Sequence, residues 1–246
     1  METCIVKYGG SFVISGDEYN VDAFDELVRL ANEFTDKQFV FVIGGGKLCR
    51  NINSVALPFL KKALGENSKS LGVALDEIGI AVTKINGRKV KSYLEEKLGA
   101  HRVFEDIIDY PEVAVKTDKQ VIIATGYKPG VSTDYDMMLL AKAYDANKVF
   151  KISDFPVVLN VSPLDFDKSK ISEYEALPIA TWDDILNLVG EVFIPGGNYP
   201  LDPPSAVLGR KLAEDNSSFA LFIGQKSQLR AMLRDEDFVG TIIKNN

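Results

Sequence analysis

Five stretches of this sequence set a glycine or a strand end beside residues able to handle an anion. The first is Lys7-Tyr8-Gly9-Gly10-Ser11. Phosphoryl transfer needs backbone amides that approach phosphate oxygens closely, and a cation for the charge on the transferred group. Gly9 and Gly10 permit the approach and Lys7 supplies the cation; the plainer reading is a tight turn beside an exposed, solvated lysine. The second is Gly44-Gly45-Gly46-Lys47-Leu48-Cys49-Arg50. Three glycines follow the apolar FVFVI segment and lead into a helix, which makes an anion cradle. Arg50 falls one turn inside that helix, where a guanidinium grips phosphate. This is not the P-loop pattern, which needs a second glycine before Lys-Ser/Thr.

The third stretch is Asp76, Gly79, Thr83 and Asn86, with Gly87 beside them. Offsets of three, seven and ten residues from Asp76 share one helix face. Such a stripe suits a sugar, whose paired hydroxyls want a carboxylate, or is an ordinary solvated face. The fourth is the loop Gly126 to Asp134, GYKPGVSTD, with Thr133 at its end. It is placed to serve a base or a phosphate, or simply to cap a helix. The fifth is Lys151-Ile152-Ser153-Asp154 at another apolar segment's end. Lysine and aspartate there would orient a triphosphate and organise catalytic cations, or form an exposed ion pair.

The elements that must position these residues follow from periodicity. Continuous apolar runs predict strands at Cys4–Val6, Phe39–Ile43, Val121–Ala124, Lys148–Ser153, Ser218–Ile223 and Gly240–Ile243, with a hairpin-like excursion at Val157–Val161. Helical spacing predicts helices over Val21–Phe34, Leu48–Leu64 with a break at Pro58, and Leu71–Leu98 with an interruption at Asn86-Gly87. Further helices are expected at Asp134–Tyr144, Trp182–Val189, Pro203–Glu214 and Gln225–Leu233. Alternating strands and helices imply an α/β layer structure with a mostly parallel sheet, whose ligands bind at the carboxyl ends of strands. The glycine clusters fall there.

Composition narrows the function classes. The chain has 246 residues and a net charge of −7, with no basic face for nucleic acid. No apolar run approaches the ~18 residues of a membrane span, and the first residues show no signal peptide. Two isolated cysteines, Cys4 and Cys49, form no metal pattern and suit a reducing cytoplasm.

The five stretches, in this order, resemble the amino-acid-kinase family, and within it the UMP kinases. KYGGS is similar to the family's first-strand lysine and glycine loop, and VIGGGKLCR to its second glycine loop. DEIGIAVTKINGRKV resembles the acceptor-site helix, ATGYKPGVSTD the pyrimidine loop, FKISDFPVVL the strand and turn at the nucleotide site, LDPPSA a helix start, and GTII the last strand. One departure stands out. The family usually has Thr-x-Val-Asp-Gly-Val there, and this chain has Ser153-Asp154-Phe155-Pro156-Val157-Val158-Leu159.

The resemblance implies one α/β/α sandwich with a mainly parallel central sheet, the amino-acid-kinase (carbamate-kinase-like) fold, spanning 1–246 as a single domain. Residues to about 146 would hold the phosphoryl acceptor and the rest the nucleotide. It implies cytoplasmic transfer of the ATP γ-phosphate to UMP, giving UDP for pyrimidine synthesis, with Mg2+ accompanying ATP and no metal site of the protein's own. Lys7, Lys151 and Asp154 would be catalytic, Asp154 orienting the lysines or a magnesium ion. Gly44, Gly45, Gly46, Arg50, Asp76, Gly79, Thr83, Asn86, Gly126 and Thr133 would hold UMP. Lys7, Gly9, Gly10, Ser11, Ser153, Asp154, Leu159 and Asp202 would hold ATP. A homo-oligomer, dimer or hexamer, is expected, with no nucleic-acid or membrane partner. The alternatives are a kinase of another small phosphorylated or carboxylated acceptor, or a nucleotide-binding relative without full activity. Relatives acting on isopentenyl phosphate use a histidine near the acceptor, and His101, the only one here, lies outside every cluster.

Overall fold

The computed structural model describes residues 1–15, 18–190 and 199–245. Its elements run β1 (Glu2–Tyr8), α1 (Gly10–Val13), β2 (Ile14–Ser15), β3 (Glu18–Tyr19), α2 (Val21–Glu33), β4 (Lys37–Ile43), α3 (Gly46–Leu64), α4 (Lys69–Leu98), β5 (Val103–Ile108) and β6 (Val121–Ala124). They continue α5 (Thr133–Ala143), β7 (Lys148–Ile152), β8 (Val158–Leu159), β9 (Ala176–Leu177), β10 (Ile179–Thr181), α6 (Trp182–Val189), α7 (Pro203–Asp215), β11 (Ala220–Gly224), α8 (Leu229–Leu233) and β12 (Gly240–Lys244).

Eight strands form one sheet in the order β10-β12-β11-β7-β1-β4-β6-β5. Only the β11–β12 pairing is antiparallel. The pleat sends alternate side chains to opposite faces. Cys4, Val6 and Tyr8 of β1 join a core with α2, α4 and α8. Ile5 joins the opposite core with α5, α6 and α7. Two cores on two faces of one sheet make the expected three-layer α/β/α sandwich.

That alternation places the chemistry. Lys7 is two residues beyond Ile5, so it lies on the α5 face. Lys151 is two residues beyond Val149, which belongs to the same core. The parallel β1–β7 register sets Lys7 directly beside Lys151. Neither long helix breaks where expected. Pro58 lies inside continuous α3, on an exposed stretch where the carbonyl that loses its donor can meet water. Asn86 and Gly87 lie inside continuous α4, both buried. A side chain at Gly87 would come within 2.5 Å of Thr125 Cγ2, so the glycine serves a close helix–sheet crossing rather than a turn. The helix expected over Gln225–Leu233 is a short 3-10 turn, Lys226–Gln228, followed by α8. Among the described residues, no helix is long and apolar enough to cross a membrane.

Candidate active site

At the carboxyl ends of β1 and β7 the two lysines converge on one carboxylate, Asp134. Lys7 Nζ lies 2.8 Å from Asp134 Oδ1, and Lys151 Nζ 2.5 Å from Oδ2. Lys151 also donates to the Pro200 carbonyl at 2.6 Å. Asp134 reaches this place because Ser132 caps α5, its side-chain oxygen accepting from the Asp134 amide at 3.0 Å. An acid in a helix's first turn is favoured by the helix dipole. Burial alone would raise the Asp134 carboxyl; the charges of Lys151 and Lys7 overcome it and hold the group at about 2. Burial lowers the Lys151 ammonium from its ordinary value, and Asp134 opposes that fall. Two fixed cations bridged by one anion, in a largely dry place at strand ends, can stabilise charge that moves between phosphate oxygens.

Behind this triad stand two more buried acids. Asp202 caps α7, its Oδ1 accepting from the Ser205 amide at 2.9 Å and the Ser205 hydroxyl at 2.8 Å. Its Oδ2 accepts from the Ser132 hydroxyl, which ties the starts of α5 and α7 together. Burial, then the Asp134 charge, raises its carboxyl. Asp136 is the other, and its Oδ2 accepts from the Tyr127 amide at 3.3 Å.

The two glycine loops pack against each other. Gly44 donates to the Tyr8 carbonyl at 3.1 Å. A side chain on Gly10 would fall on the Gly46 backbone, and one on Gly44 would come within 2.9 Å of the Gly10 nitrogen. Gly46 has φ +60°, a left-handed conformation that favours glycine. In this conformation the glycines make room for one another, not only for a ligand. Asn86 supports the loop from α4, donating to the Gly44 carbonyl at 3.0 Å and the Gly45 carbonyl at 3.3 Å. Thr83 Oγ1 accepts from the Gly126 amide at 2.9 Å. Asp76 accepts from the Gly130 amide at 2.8 Å. Gly79 faces Cys49, where a side chain would come within 3.4 Å of the sulfur. The polar stripe of α4 is therefore no solvated face; it braces the second glycine loop and the loop before α5. Arg50 is exposed on α3, while Thr133 opens α5.

The other side of the site is looser. Asp154 is exposed, and its Oδ2 accepts from Ser11 Oγ at 3.3 Å. It is thus not the carboxylate that holds the lysines, although it lies nearer to Lys151 in sequence. The Ser153 amide donates to the Gly224 carbonyl at 2.9 Å. Leu159 lies in β8, which among the described residues pairs with β9 alone. Gly9 precedes α1 and its carbonyl accepts from the Phe12 amide at 2.9 Å. Among the described residues, no three His, Cys, Asp or Glu side chains gather as a metal site.

Sequence reasoning does not single out Asp134 or Asp136, yet both are buried at the start of α5, and Asp134 holds the two lysines. The available signal was the Ser-Thr-Asp-Tyr-Asp run, which puts two acids at the amino end of an otherwise apolar helix.

A family model described as Amino acid kinase family matches residues 2–211. The uridylate kinase of Thermoplasma volcanium is 26% identical over 188 residues, 75% of this chain and 77% of that protein. That of Natronomonas pharaonis is 24% identical over 253 residues, 98% of each. The solved uridylate kinase of Archaeoglobus fulgidus has a TM-score of 0.76 at 18% identity, covering 99% of this chain and all of that one. The UMP kinase of Bacillus anthracis has a TM-score of 0.69 at 17% identity, covering 100% of this chain and 96% of that one. At such identities these structures speak to the fold alone. A match that takes in β1, both glycine loops, the α4 stripe and the start of α7 identifies the chain by its whole framework: it belongs to the amino acid kinase family.

Proposed function

We propose that this chain transfers the γ-phosphate of ATP to UMP, giving UDP and ADP. The observation that carries the reading is the Lys7–Asp134–Lys151 bridge at adjacent strand ends, beside two packed glycine loops. The relatives named uridylate kinase support UMP as acceptor. An oxygen of the UMP phosphate attacks the γ-phosphorus, and the bond from that phosphorus to the β,γ-bridging oxygen breaks. The attacking oxygen is already anionic, so positioning and electrostatics carry the rate rather than a general base. Lys7 and Lys151 balance the charge on the transferring group, and Asp134 fixes both. Gly44–Gly46, Arg50, Asp76, Gly79, Thr83, Asn86, Gly126 and Thr133 form the acceptor side, in the half up to about residue 146. Gly9, Gly10, Ser11, Ser153, Asp154, Leu159 and Asp202 form the nucleotide side. Asp154 would help to hold Mg2+ carried by the triphosphate, which would supply further positive charge at the transferred group.

A homo-oligomer in a reducing cytoplasm completes the proposal. The row Ile52, Val55 and Phe59 on α3 supports self-association, since Phe59 is 75% exposed and Val55 69%. Light scattering that gives a mass near 27.1 kDa at micromolar concentration contradicts it. The activity is tested by coupled ADP release over a panel of nucleoside monophosphates, isopentenyl phosphate, carbamate and amino acids. UMP is expected to give the highest kcat/KM. Preference for a non-nucleotide acceptor, or no ADP with any, overturns the reading.

A further inference from the structure

Three buried carboxylates, Asp134, Asp136 and Asp202, cluster where α5 and α7 begin, and two lysines meet the first of them. Asp134 is engaged by Lys7 and Lys151. Asp202 is engaged at both oxygens by Ser205 and Ser132. Asp136 differs from both. It is 1% exposed, its Oδ2 accepts only the long bond from the Tyr127 amide, and its Oδ1 is buried with no hydrogen-bond partner. Lys128, the nearest cation on the loop, is exposed and lies 3.6 Å from Glu112. A buried carboxylate whose second oxygen meets no donor is costly as an anion and far less so as a neutral acid. Ionising all three acids would also leave the two lysines outnumbered, in a volume to which two phosphate groups must come.

We propose that Asp136 is a positioning residue of the acceptor side: in its uncharged form it seats the Tyr127 amide, and with it the Gly126–Thr133 loop, while leaving Lys7 and Lys151 free to balance phosphate. This rests on the kinase reading above. Burial pushes the Asp136 carboxyl up to about 8; the Tyr127 amide opposes this, Asp202 and Asp134 add to it, and Lys128 opposes it. Ionisation above that pH adds a third negative charge to Asp134 and Asp202 and weakens acceptor binding.

The test compares wild type with Asp136→Asn from pH 5 to 9.5, by thermal midpoint and by the KM for UMP. The folded-state carboxyl lies above its ordinary value of 3.8, so the stability it lends is full below about 4 and is lost as pH rises through about 8. The midpoint of wild type relative to the variant therefore falls across that window and levels off above it. At pH 9 about one wild-type molecule in ten keeps the proton, so its KM for UMP is expected to be roughly tenfold higher than at pH 7. The variant's KM is expected to change by less than about twofold over the same interval. Parallel KM profiles overturn the positioning role, even where the midpoints diverge. If wild type turns over no UMP, the kinase reading fails, and titration calorimetry with UMP over the same pH range takes the place of KM. Divergent affinities then still uphold Asp136, whereas parallel affinities or no binding overturn it.

Discussion

The two halves of the site are built to different standards of order. On the proposed acceptor side three polar residues of α4 have backbone partners: Asn86 holds Gly44 and Gly45, Thr83 holds Gly126, and Asp76 holds Gly130. On the proposed nucleotide side Asp202 and Ser153 are buried and bonded, but Asp154 and Ser11 are exposed and meet at 3.3 Å, and Leu159 belongs to a two-residue strand. Groups fixed by their own hydrogen bonds need little rearrangement when a ligand arrives, whereas exposed groups must be ordered by it. The lysine bridge stands between the two sides and is largely buried, with the Lys7 side chain 14% exposed and that of Lys151 7%. On the proposed function, the chain would have a pre-set acceptor cradle, a pre-set charge bridge, and a triphosphate site completed on binding.

Breaking the bridge has the largest expected effect. Asp134→Asn leaves two ammonium groups without their shared anion. It should destabilise the fold by about 3 kcal/mol, the lower end for breaking a buried ion pair, and lower kcat by at least 10²-fold. The acid limb sharpens this. The Asp134 carboxyl lies below its ordinary value of 3.8, at about 2, so its contribution to stability is present above about pH 4 and lost as pH falls towards 2. The Asn variant should lack that limb in an acid titration followed by circular dichroism.

An intermediate effect is expected inside the cradle. Asp76→Asn loses the anionic partner of the Gly130 amide and, on the proposed function, of the ribose hydroxyls. The KM for UMP should rise about tenfold, the scale of a hydrogen bond to a charged group, with the KM for ATP changing far less. A change confined to ATP would remove Asp76 from the acceptor side. The smallest effect is expected on the open side. Ser11→Ala deletes one long, exposed hydrogen bond, and the KM for ATP should change by less than about threefold. A loss as large as that of Asp76→Asn would show the two sides to be equally ordered.

The same contrast explains what was legible in the sequence. Cys4–Val6, Phe39–Ile43 and Val121–Ala124 read as strands because both their faces are buried, leaving continuous apolar runs. β5 escaped notice because it is a sheet edge, and Glu105 and Asp106 face solvent there. The Asn86-Gly87 pair looks like a turn in one dimension. In three it is a polar brace and a close-packing glycine, and only the neighbouring Gly44–Gly45 carbonyls and Thr125 methyl reveal that. The glycine loops and lysines were legible from local pattern. Asp134 was not, because its role depends on Lys7, which is remote along the chain and adjacent only after β1 and β7 pair. The plainer reading of Lys7 as a solvated lysine fails, because its side chain is 14% exposed and paired with Asp134.

Lys7→Ala is the direct test of the charge bridge, with kcat for UMP phosphorylation and thermal midpoint measured on the same preparation. Lys151 still pairs with Asp134 in that variant, so the protein is expected to stay folded with a modestly lowered midpoint. Its kcat is expected to fall about 10²–10³-fold, the scale of removing one preorganised stabilising donor. A folded Lys7→Ala protein that turns over UMP at the wild-type kcat would contradict phosphoryl transfer across this bridge.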